Sequence, residues 1–378
     1  MTDRWSPSAA FLWPALAAAS ASEMASLLAN QLAQLASESH TRPVTSPDWA
    51  SRNHVALELP TLRLRDFSTA QARVPTLICA PYALHASTIA DFAPDHSLVD
   101  ALRRNGLTHL FVAEWRSATS DMRFMSIDHY LADLNVAVDE LGGSVELIGL
   151  CQGGWMALLY AARFPSKVRR IVLAGAPIDS HAEQAGVAFI AANTPLGVFK
   201  ELVRLGDGRM LGRHALVIWQ QTSVTLDEIY ASLQLPADTD VDRHAAMIAR
   251  FRNWHAWAVD LPGSYYLQVV EHLFKNNELA EGRFVALGHR VDLADVHVPI
   301  FMLAARDDQL VGTRQLFATE TLVATPPSQL EQVVAPCSHL ALFMGTRTLA
   351  EVWPNIARWM IAEETEHAPR SEPAHCPH

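Results

Sequence analysis

Short apolar runs alternate with segments of helical periodicity from residue 75 of the chain onward. The run PTLICA at 75–80 is apolar almost throughout and is followed by a proline, as expected of a parallel strand that is buried on both faces. The alternation predicts an α/β fold with a mostly parallel central sheet and helices on both faces. The strands predicted from it span residues 75–80, 110–113, 145–150, 170–174, 299–304 and 330–334. The predicted helices span residues 97–104, a segment from a Ser126 cap to the Gly142-Gly143 pair, 152–163 and 349–360.

The rhythm of strands and helices is interrupted between residues 180 and 290, where the sequence is rich in helical patterns. We expect this segment to be a helical cap inserted into the sheet domain. The predicted organisation is an N-terminal helical extension at 1–60, a first core part at 61–179, the cap at 180–290, a second core part at 291–362 and a disordered tail at 363–378.

The N-terminal segment allows two interpretations. Phe11 to Ala21 is apolar and ends in small residues, as a signal peptide does, but Asp3 cancels the charge of Arg4 in the region before it. Residues 20–37 have the pattern of an amphipathic helix that packs on the domain or lies on a lipid-like surface. The sequence leaves open whether the apolar stretch is a signal or part of an interface helix.

The composition excludes several classes of protein. The chain of 378 residues is 50% hydrophobic and 18% charged, which predicts a packed core. Its net charge of −11 and its lack of a basic run disfavour nucleic acid as a partner. The four cysteines include no CxxC pair, so a zinc ribbon is excluded and a reducing cytoplasm is the expected location. We predict neither a metal site nor a cofactor.

The segment GLCQGG at 149–154 lies between a predicted strand and a predicted helix. It has the form of a nucleophile elbow, in which small residues permit a sharp turn that lifts the nucleophile above the sheet. The N-terminus of the following helix favours a thiolate and a developing oxyanion. Cys151 is therefore the candidate nucleophile, and the alternative is a buried structural cysteine in a glycine turn.

A cysteine nucleophile needs a base, and the base needs a group that orients it. His339 lies just after the last predicted strand, and Asp308 lies after the strand before it. The chain order of nucleophile, acid and histidine is that of the α/β-hydrolase fold, which we therefore predict. Asp308 is preferred over its neighbour Asp307 because it precedes the apolar pair Leu310-Val311, which would anchor the loop.

The oxyanion hole is expected to use the backbone N–H of Gln152, directly after the nucleophile. A second N–H would come from the loop after the first predicted strand, at Tyr82 or Ala83, although Tyr82 would serve equally well in packing. His85 in the same loop and Trp155 behind the nucleophile are candidate substrate contacts.

Aromatic residues are frequent in and around the predicted cap. They either fill its core or line an apolar channel for an acyl chain. The residues concerned are Trp219, Trp254, Trp257, Tyr265 and Tyr266.

Several motifs in this order resemble those of the polyhydroxyalkanoate synthase and intracellular depolymerase superfamily. APY at 80–82 and DHSLV at 95–99 are similar to a proline-rich oxyanion loop that leads into an SLV motif. EWR at 114–116 is similar to a strand end of these enzymes, and GLCQGG at 149–154 is similar to their lipase-like box with cysteine. The segment 277–293 resembles their approach to the strand that carries the acid.

The resemblance covers residues 60–360. It implies an α/β-hydrolase fold and gives the triad roles to Cys151, Asp308 and His339, the same residues that the pattern selects.

Some residues depart from the motifs of the synthases or of the depolymerases, and they bear on which of these two branches the chain resembles more. Gly312 stands where synthases usually have proline, and Trp155 stands where they usually have a small residue. The Cys151-Gln152 pair and the segment 260–267 look more like the depolymerases, which usually lack the Gly153-Gly154 pair.

The expected activity is that of a cysteine-dependent acyl-enzyme hydrolase acting on (poly)hydroxyalkanoate esters or hydroxyacyl thioesters. Hydrolysis is favoured because a coenzyme A donor would prefer a Lys/Arg cluster for its phosphates, and none is evident, although folding can gather Arg243, Arg250 and Arg252. The alternatives are a synthase that polymerises 3-hydroxyacyl-CoA and a non-catalytic protein of polymer granules. Granule association and a homo-oligomer are left open by the sequence.

Overall fold

The computed structural model describes residues 8–39, 44–71, 74–219, 223–235 and 240–362. The predicted disordered tail at 363–378 lies outside the described residues.

Eight strands form one central sheet in the order β1-β2-β4-β3-β5-β6-β7-β8. The pairings β1–β2 and β2–β4 are antiparallel, and the other five are parallel. This confirms the predicted fold class. The strands are β1 His54–Glu58, β2 Leu62–Asp66, β3 Thr76–Cys79, β4 Leu110–Trp115, β5 Val145–Leu150, β6 Val168–Ala174, β7 Ile300–Ala305 and β8 Leu330–Ala335.

All six predicted strands are present, and β5 has the predicted bounds. The two strands at the antiparallel edge, β1 and β2, were not predicted. The signal for β2 is present as a short alternation of leucine and arginine at 62–65, which places two leucines in the core and two arginines away from it. We predicted only the continuous apolar runs and so missed an edge strand that has one polar face.

Helices flank the sheet on both faces and fill the segment between β6 and β7. The α-helices are α1 Ser8–Ser39, α2 Leu98–Arg104, α3 Ile127–Glu140, α4 Gln152–Arg163, α5 Gly186–Asn193, α6 Leu196–Leu205, α7 Gly212–Ile218, α8 Leu226–Leu233, α9 Val241–Ala256, α10 Gly263–Gln268, α11 Thr313–Phe317, α12 Thr319–Leu322, α13 Ala341–Met344, α14 Thr346–Glu351 and α15 Trp353–Ile361. A π-helix at Val269–Lys275 follows α10 directly.

Shorter elements complete the described chain. The 3₁₀-helices are Ser87–Ala90, Ser120–Met122, Pro165–Lys167, Leu293–Asp295 and Pro327–Gln329. The two-stranded pairs are Asp91–Ala93 with His96–Ser97, Arg209–Met210 with Leu261–Pro262, and Val285–Ala286 with His289–Arg290.

Helix ends follow local capping chemistry. The Ser97 side chain accepts a hydrogen bond from the Asp100 N–H at the start of α2, and Ser126 caps α3 as predicted. The single helix predicted at 349–360 is wrong, since α14 ends at Glu351 and α15 begins at Trp353. Pro354 lies in the first turn of α15, where its missing N–H costs no hydrogen bond, whereas it would interrupt a continuous helix.

The N-terminal helix α1 is longer than the predicted segment and takes in the whole apolar stretch at 11–21. It packs on α6 and α7 through a row of small residues, and Ala25, Ala29 and Ala36 are buried there. Leucine and methionine side chains on its other face are exposed.

Among the helices of the described residues, none is by itself long and apolar enough to span a membrane. The pair α5 and α6, bent by 93° at their junction, has the length and composition when the two are taken together.

The core consists of two clusters, one on each face of the sheet. Alternate residues of β3 belong to different clusters: Leu77 and Cys79 face α4, whereas Ile78 faces the layer that contains α15. Helices of the segment 180–290 contribute to both clusters. The division into extension, core, cap and tail stays a prediction.

The start of α4 lies against the end of β3 at van der Waals distance. A Cβ at Gly153 would overlap the backbone carbonyl oxygen of Cys79, a group that cannot swing aside as a flexible side chain can. Glycine at this position is therefore required for the turn after β5 to sit on the neighbouring strand.

Replacing Gly153 by alanine should lower the free energy of unfolding by about 1–3 kcal/mol or more, because the backbone of two elements must move apart. Urea denaturation followed by circular dichroism measures this change. The matched variant is Gly197→Ala in α6, where a Cβ would meet only another alanine side chain. Equal stability of the two variants would contradict the close approach of α4 to β3.

Candidate active site

Cys151 occupies a strained turn between β5 and α4. Its backbone has φ +48° and ψ −121°, a combination that costs free energy for a residue with a side chain. The Cys151 N–H donates to the carbonyl of Ala174 at 2.8 Å, and its carbonyl accepts from the N–H of Gly154 at 2.9 Å. These bonds hold the half-buried cysteine at the carboxyl end of the sheet, at the N-terminus of a 12-residue helix.

His339 reaches the same end of the sheet from the loop after β8. Its Nδ1 lies 2.6 Å from Oδ2 of Asp308, and the two side chains are 6% and 3% exposed. The Cys151 side chain lies close enough to the His339 ring to act on its charge. Because Nδ1 is used by Asp308, Nε2 is the ring nitrogen left for the sulfur.

Asp308 is fixed by its own loop. Its Oδ1 accepts hydrogen bonds from the backbone N–H groups of Leu310 at 2.8 Å and Val311 at 2.9 Å. These are the residues that the sequence indicated as the anchor of the loop. The Asp307 side chain is 60% exposed and lies 3.5 Å from Arg306. The geometry therefore places Asp308, and not Asp307, against His339.

Charge around His339 favours its protonated form. Burial by itself would lower the pKa of this imidazole, but the Asp308 carboxylate and the Cys151 sulfur act in the other direction, and the pKa is raised well above its usual value. An imidazolium beside the sulfur stabilises a thiolate, which is the reactive form of cysteine.

The three residues predicted for the oxyanion hole line one small cavity. Tyr82 and Ala83 come from the loop after β3, and Gln152 is the first residue of α4. In the described chain, the backbone N–H groups of Tyr82 and Ala83 make no hydrogen bond, so both are available to a ligand. The oxyanion role stays a prediction.

The Tyr82 side chain, as distinct from its backbone N–H, has a structural role. Its hydroxyl donates to the carbonyl of Arg116 at 2.9 Å and accepts from the Tyr130 hydroxyl at 2.9 Å. Its ring stacks on Tyr130 with centroids 4.9 Å apart. These contacts hold the backbone of the loop in place next to Gln152.

The two predicted substrate contacts lie in different surroundings. Trp155 is 1% exposed and belongs to the core on the α4 face, a placement that favours packing. The His85 ring contacts the rings of Trp254 and His255 in tilted arrangements, with centroids 4.5 Å and 4.9 Å away. Burial, with a smaller contribution from His255, lowers the pKa of His85 to about 3, so its imidazole is neutral at physiological pH.

The aromatic residues of the segment 180–290 do not share one position. Trp219, Tyr265 and Tyr266 line the cavity beside the predicted oxyanion hole, whereas Trp254 lines a separate cavity next to Arg250. Trp257 is half-buried.

Sequence reasoning missed part of the cavity wall. Val269, Val270 and Phe274 of the π-helix line the cavity together with Leu261. No motif marks them, and they lie far from Cys151 along the chain. The only indication was the neighbouring Tyr265-Tyr266 pair, which was noted as a candidate channel wall.

The described residues contain no group of three or more histidine, cysteine, aspartate or glutamate side chains that is placed to hold a metal ion.

The sheet order and the turn at Cys151 define an α/β-hydrolase fold. Two solved structures with the same fold are an alpha/beta hydrolase fold protein from Chitinophaga pinensis and a monoacylglycerol lipase from Paleococcus ferrophilus. The first has a TM-score of 0.50 and covers 85% of this chain and 99% of its own, and the second has a TM-score of 0.52 and covers 79% and 98%. Both are 12% identical in sequence to this chain, so they establish the fold alone.

The chain belongs to the family described as "Protein of unknown function (DUF3141)", whose model matches residues 59–321. Curated relatives named poly(3-hydroxyalkanoate) polymerase subunit PhaC come from Haloferax mediterranei, Allochromatium vinosum and Synechocystis. Their identities to this chain are 26%, 25% and 27%, over 85%, 76% and 76% of this chain. The matches span 66%, 80% and 77% of the relatives' own lengths.

These relatives confirm the resemblance to the polyhydroxyalkanoate synthase and depolymerase superfamily. They also support an enzymatic function, since the relatives are named as polymerase subunits. The three roles in a triad stay a prediction that the geometry makes chemically reasonable.

The roles of the two neighbouring aspartates can be separated by substitution. Asp308→Asn should slow the alkylation of Cys151 by iodoacetamide at pH 7 by about tenfold, because His339 loses the charge that keeps it protonated beside the sulfur. Asp307→Asn, a change of the same size in an exposed side chain, should leave the rate unchanged. Mass spectrometry of the Cys151 peptide gives both rates, and a slower reaction in the Asp307 variant alone would show that the wrong aspartate was chosen.

Proposed function

We propose that this protein is a cysteine-dependent acyltransferase that moves a hydroxyacyl group from a thioester to the hydroxyl end of a polyester chain. The observation that carries the proposal is the position of His339, whose ring lies against Asp308 and beside the Cys151 sulfur at the end of the sheet. The printed names of the relatives supply the class of substrate and product.

In the first half-reaction, His339 holds the proton of Cys151, and the sulfur attacks the thioester carbonyl carbon. The backbone N–H groups of Gln152 and of Ala83 or Tyr82 stabilise the oxyanion that forms. The intermediate collapses with cleavage of the carbon–sulfur bond of the donor, and His339 gives its proton to the departing thiolate. The products are an acyl-Cys151 enzyme and a free thiol.

In the second half-reaction, an acceptor hydroxyl replaces the departed thiol. His339 takes the hydroxyl proton, the oxygen attacks the acyl-cysteine carbonyl, and the bond to the Cys151 sulfur breaks. The proton then returns to the sulfur. The net reaction converts a thioester and an alcohol into an ester and a thiol, and with water as the acceptor it becomes hydrolysis.

Transfer is proposed in place of the hydrolysis that the sequence analysis favoured. That preference came from the lack of a basic cluster for coenzyme A phosphates. The fold places Arg243 in an ion pair with Asp95, and Arg250 donates to two backbone carbonyl groups, so neither side chain indicates a phosphate site. The relatives, in contrast, are named as polymerases, and this supports the synthase alternative better.

The proposed partners are a hydroxyacyl thioester and a hydroxyalkanoate polyester. Cytoplasmic location, association with a polymer granule and a homo-oligomer stay predictions. A non-catalytic granule protein is the competing hypothesis, and it predicts no reaction at Cys151.

The test is incubation of the purified protein with 3-hydroxybutyryl-CoA. We expect free thiol to be released together with ester oligomers, detected by a thiol reagent and by mass spectrometry. Cys151→Ala should lower the rate by several powers of ten, because the acyl-enzyme route is lost. The matched control is Cys337→Ala, which removes another free cysteine, buried in the loop after β8.

The products distinguish the competing hypotheses. Thiol release with only monomeric 3-hydroxybutyrate would show a hydrolase. Release that continues unchanged in Cys151→Ala would exclude the proposed nucleophile, and the absence of any release would favour the non-catalytic protein.

A further inference from the structure

The cavity beside the predicted oxyanion hole is small and mostly apolar. Its volume is about 20 Å³, close to the space that one water molecule needs. Its walls come from the loop after β3, the start of α4, the end of α7 and the segment from β-strand Leu261–Pro262 to the π-helix. The lining residues are Tyr82, Ala83, Gln152, Trp219, Leu261, Tyr265, Tyr266, Val269, Val270 and Phe274.

One polar group in this cavity lacks a partner. The Tyr266 side chain is 3% exposed, and among the described residues its hydroxyl makes no hydrogen bond. The Trp219 indole lies near this hydroxyl. Because an indole N–H can only donate, the phenol proton would still have no acceptor. A buried polar group without a partner costs about 1–3 kcal/mol, so its retention calls for an explanation.

The phenol is a hydrogen-bond donor at neutral pH. Burial raises the pKa of Tyr266 well above its ordinary value, which keeps the hydroxyl protonated. The partner that the Tyr266 hydroxyl lacks is therefore a hydrogen-bond acceptor, such as an oxygen.

One wall of the cavity is unusual in its backbone. Val269, Val270 and Phe274 belong to a π-helix of seven residues, Val269–Lys275, that continues directly from α10. Such π-helical turns are rare and occur frequently at functional sites. These π-helical residues line the same cavity as Ala83.

We propose that Tyr266 is a specificity-determining residue that donates a hydrogen bond to a hydroxyl on the acyl chain of a short substrate. The proposal rests on the proposed function, in which the acyl carbonyl lies at Gln152 and Ala83. A hydroxyl two carbons from that carbonyl lies close enough to enter the same small cavity. The cavity has room for a hydroxyl but not for a long acyl chain, so the fitting substrate class is short hydroxyacyl thioesters.

The experiment compares 3-hydroxybutyryl and butyryl thioesters, which differ only in the hydroxyl. Wild-type protein should have the higher kcat/KM for the hydroxylated substrate, and Tyr266→Phe should reduce this ratio by about tenfold, the equivalent of one lost hydrogen bond. The matched control is Tyr160→Phe, which removes a buried hydroxyl that donates to Asn135 at 3.1 Å, away from the cavity. The control should keep the wild-type ratio.

A second variant tests the size limit without touching the phenol. Val270→Ala enlarges the cavity from the π-helix side and should raise the rate for 3-hydroxyhexanoyl relative to 3-hydroxybutyryl thioester. This measurement decides the proposal if Tyr266→Phe fails to fold, as judged by circular dichroism.

Failure of this inference is distinguishable from failure of the proposed function. If wild-type protein releases thiol and Tyr266→Phe keeps the wild-type ratio, the cavity holds only a water molecule and the inference is wrong. The inference is also wrong if Val270→Ala leaves chain-length preference unchanged. If wild-type protein turns over neither substrate, the proposed function fails and this inference fails with it.

Discussion

The strained backbone of Cys151 is the constraint on which the rest of the site depends. Its positive φ directs the side chain away from the sheet and lets α4 begin at the next residue. The hydrogen bond to the Ala174 carbonyl and the close contact of Gly153 with β3 stabilise this conformation from both sides. Because the cysteine is held by neighbouring parallel strands, the loops after β7 and β8 reach it at the same edge of the sheet. The site is thus a consequence of strand order as much as of the residues themselves.

A buried charge pair completes the arrangement. Asp308 and His339 are almost entirely shielded from water, and an ionised carboxylate there is tolerated because two backbone N–H groups and the imidazole satisfy it. The same shielding strengthens the effect of Asp308 on His339. The Tyr82–Tyr130 contact supports the loop after β3, where, among the described residues, the backbone N–H groups of Tyr82 and Ala83 make no hydrogen bond. Rigid support of a few reactive groups is the common feature of both halves.

Much of the fold was predictable because parallel strands that are buried on both faces leave continuous apolar runs in the sequence. The elbow and the preference for Asp308 were also readable, the latter from the Leu310-Val311 pair whose N–H groups hold the carboxylate. The edge strand β2 was missed because one of its faces is polar. The π-helix and its place beside Ala83 could not be predicted, since they depend on how a distant segment packs on the sheet. The choice between hydrolysis and transfer was also beyond the sequence, because in the proposed mechanism water and a polyester hydroxyl would attack the same acyl-cysteine.

The central claim is that Cys151 carries the acyl group between donor and acceptor. The most direct measurement is intact-protein mass spectrometry after brief reaction with a 3-hydroxybutyryl thioester and quenching in acid, followed by peptide mapping. The account predicts an added mass of one or more hydroxybutyryl units on the peptide that contains Cys151. Turnover with no acyl group on that peptide, or with the acyl group on another residue, would contradict it.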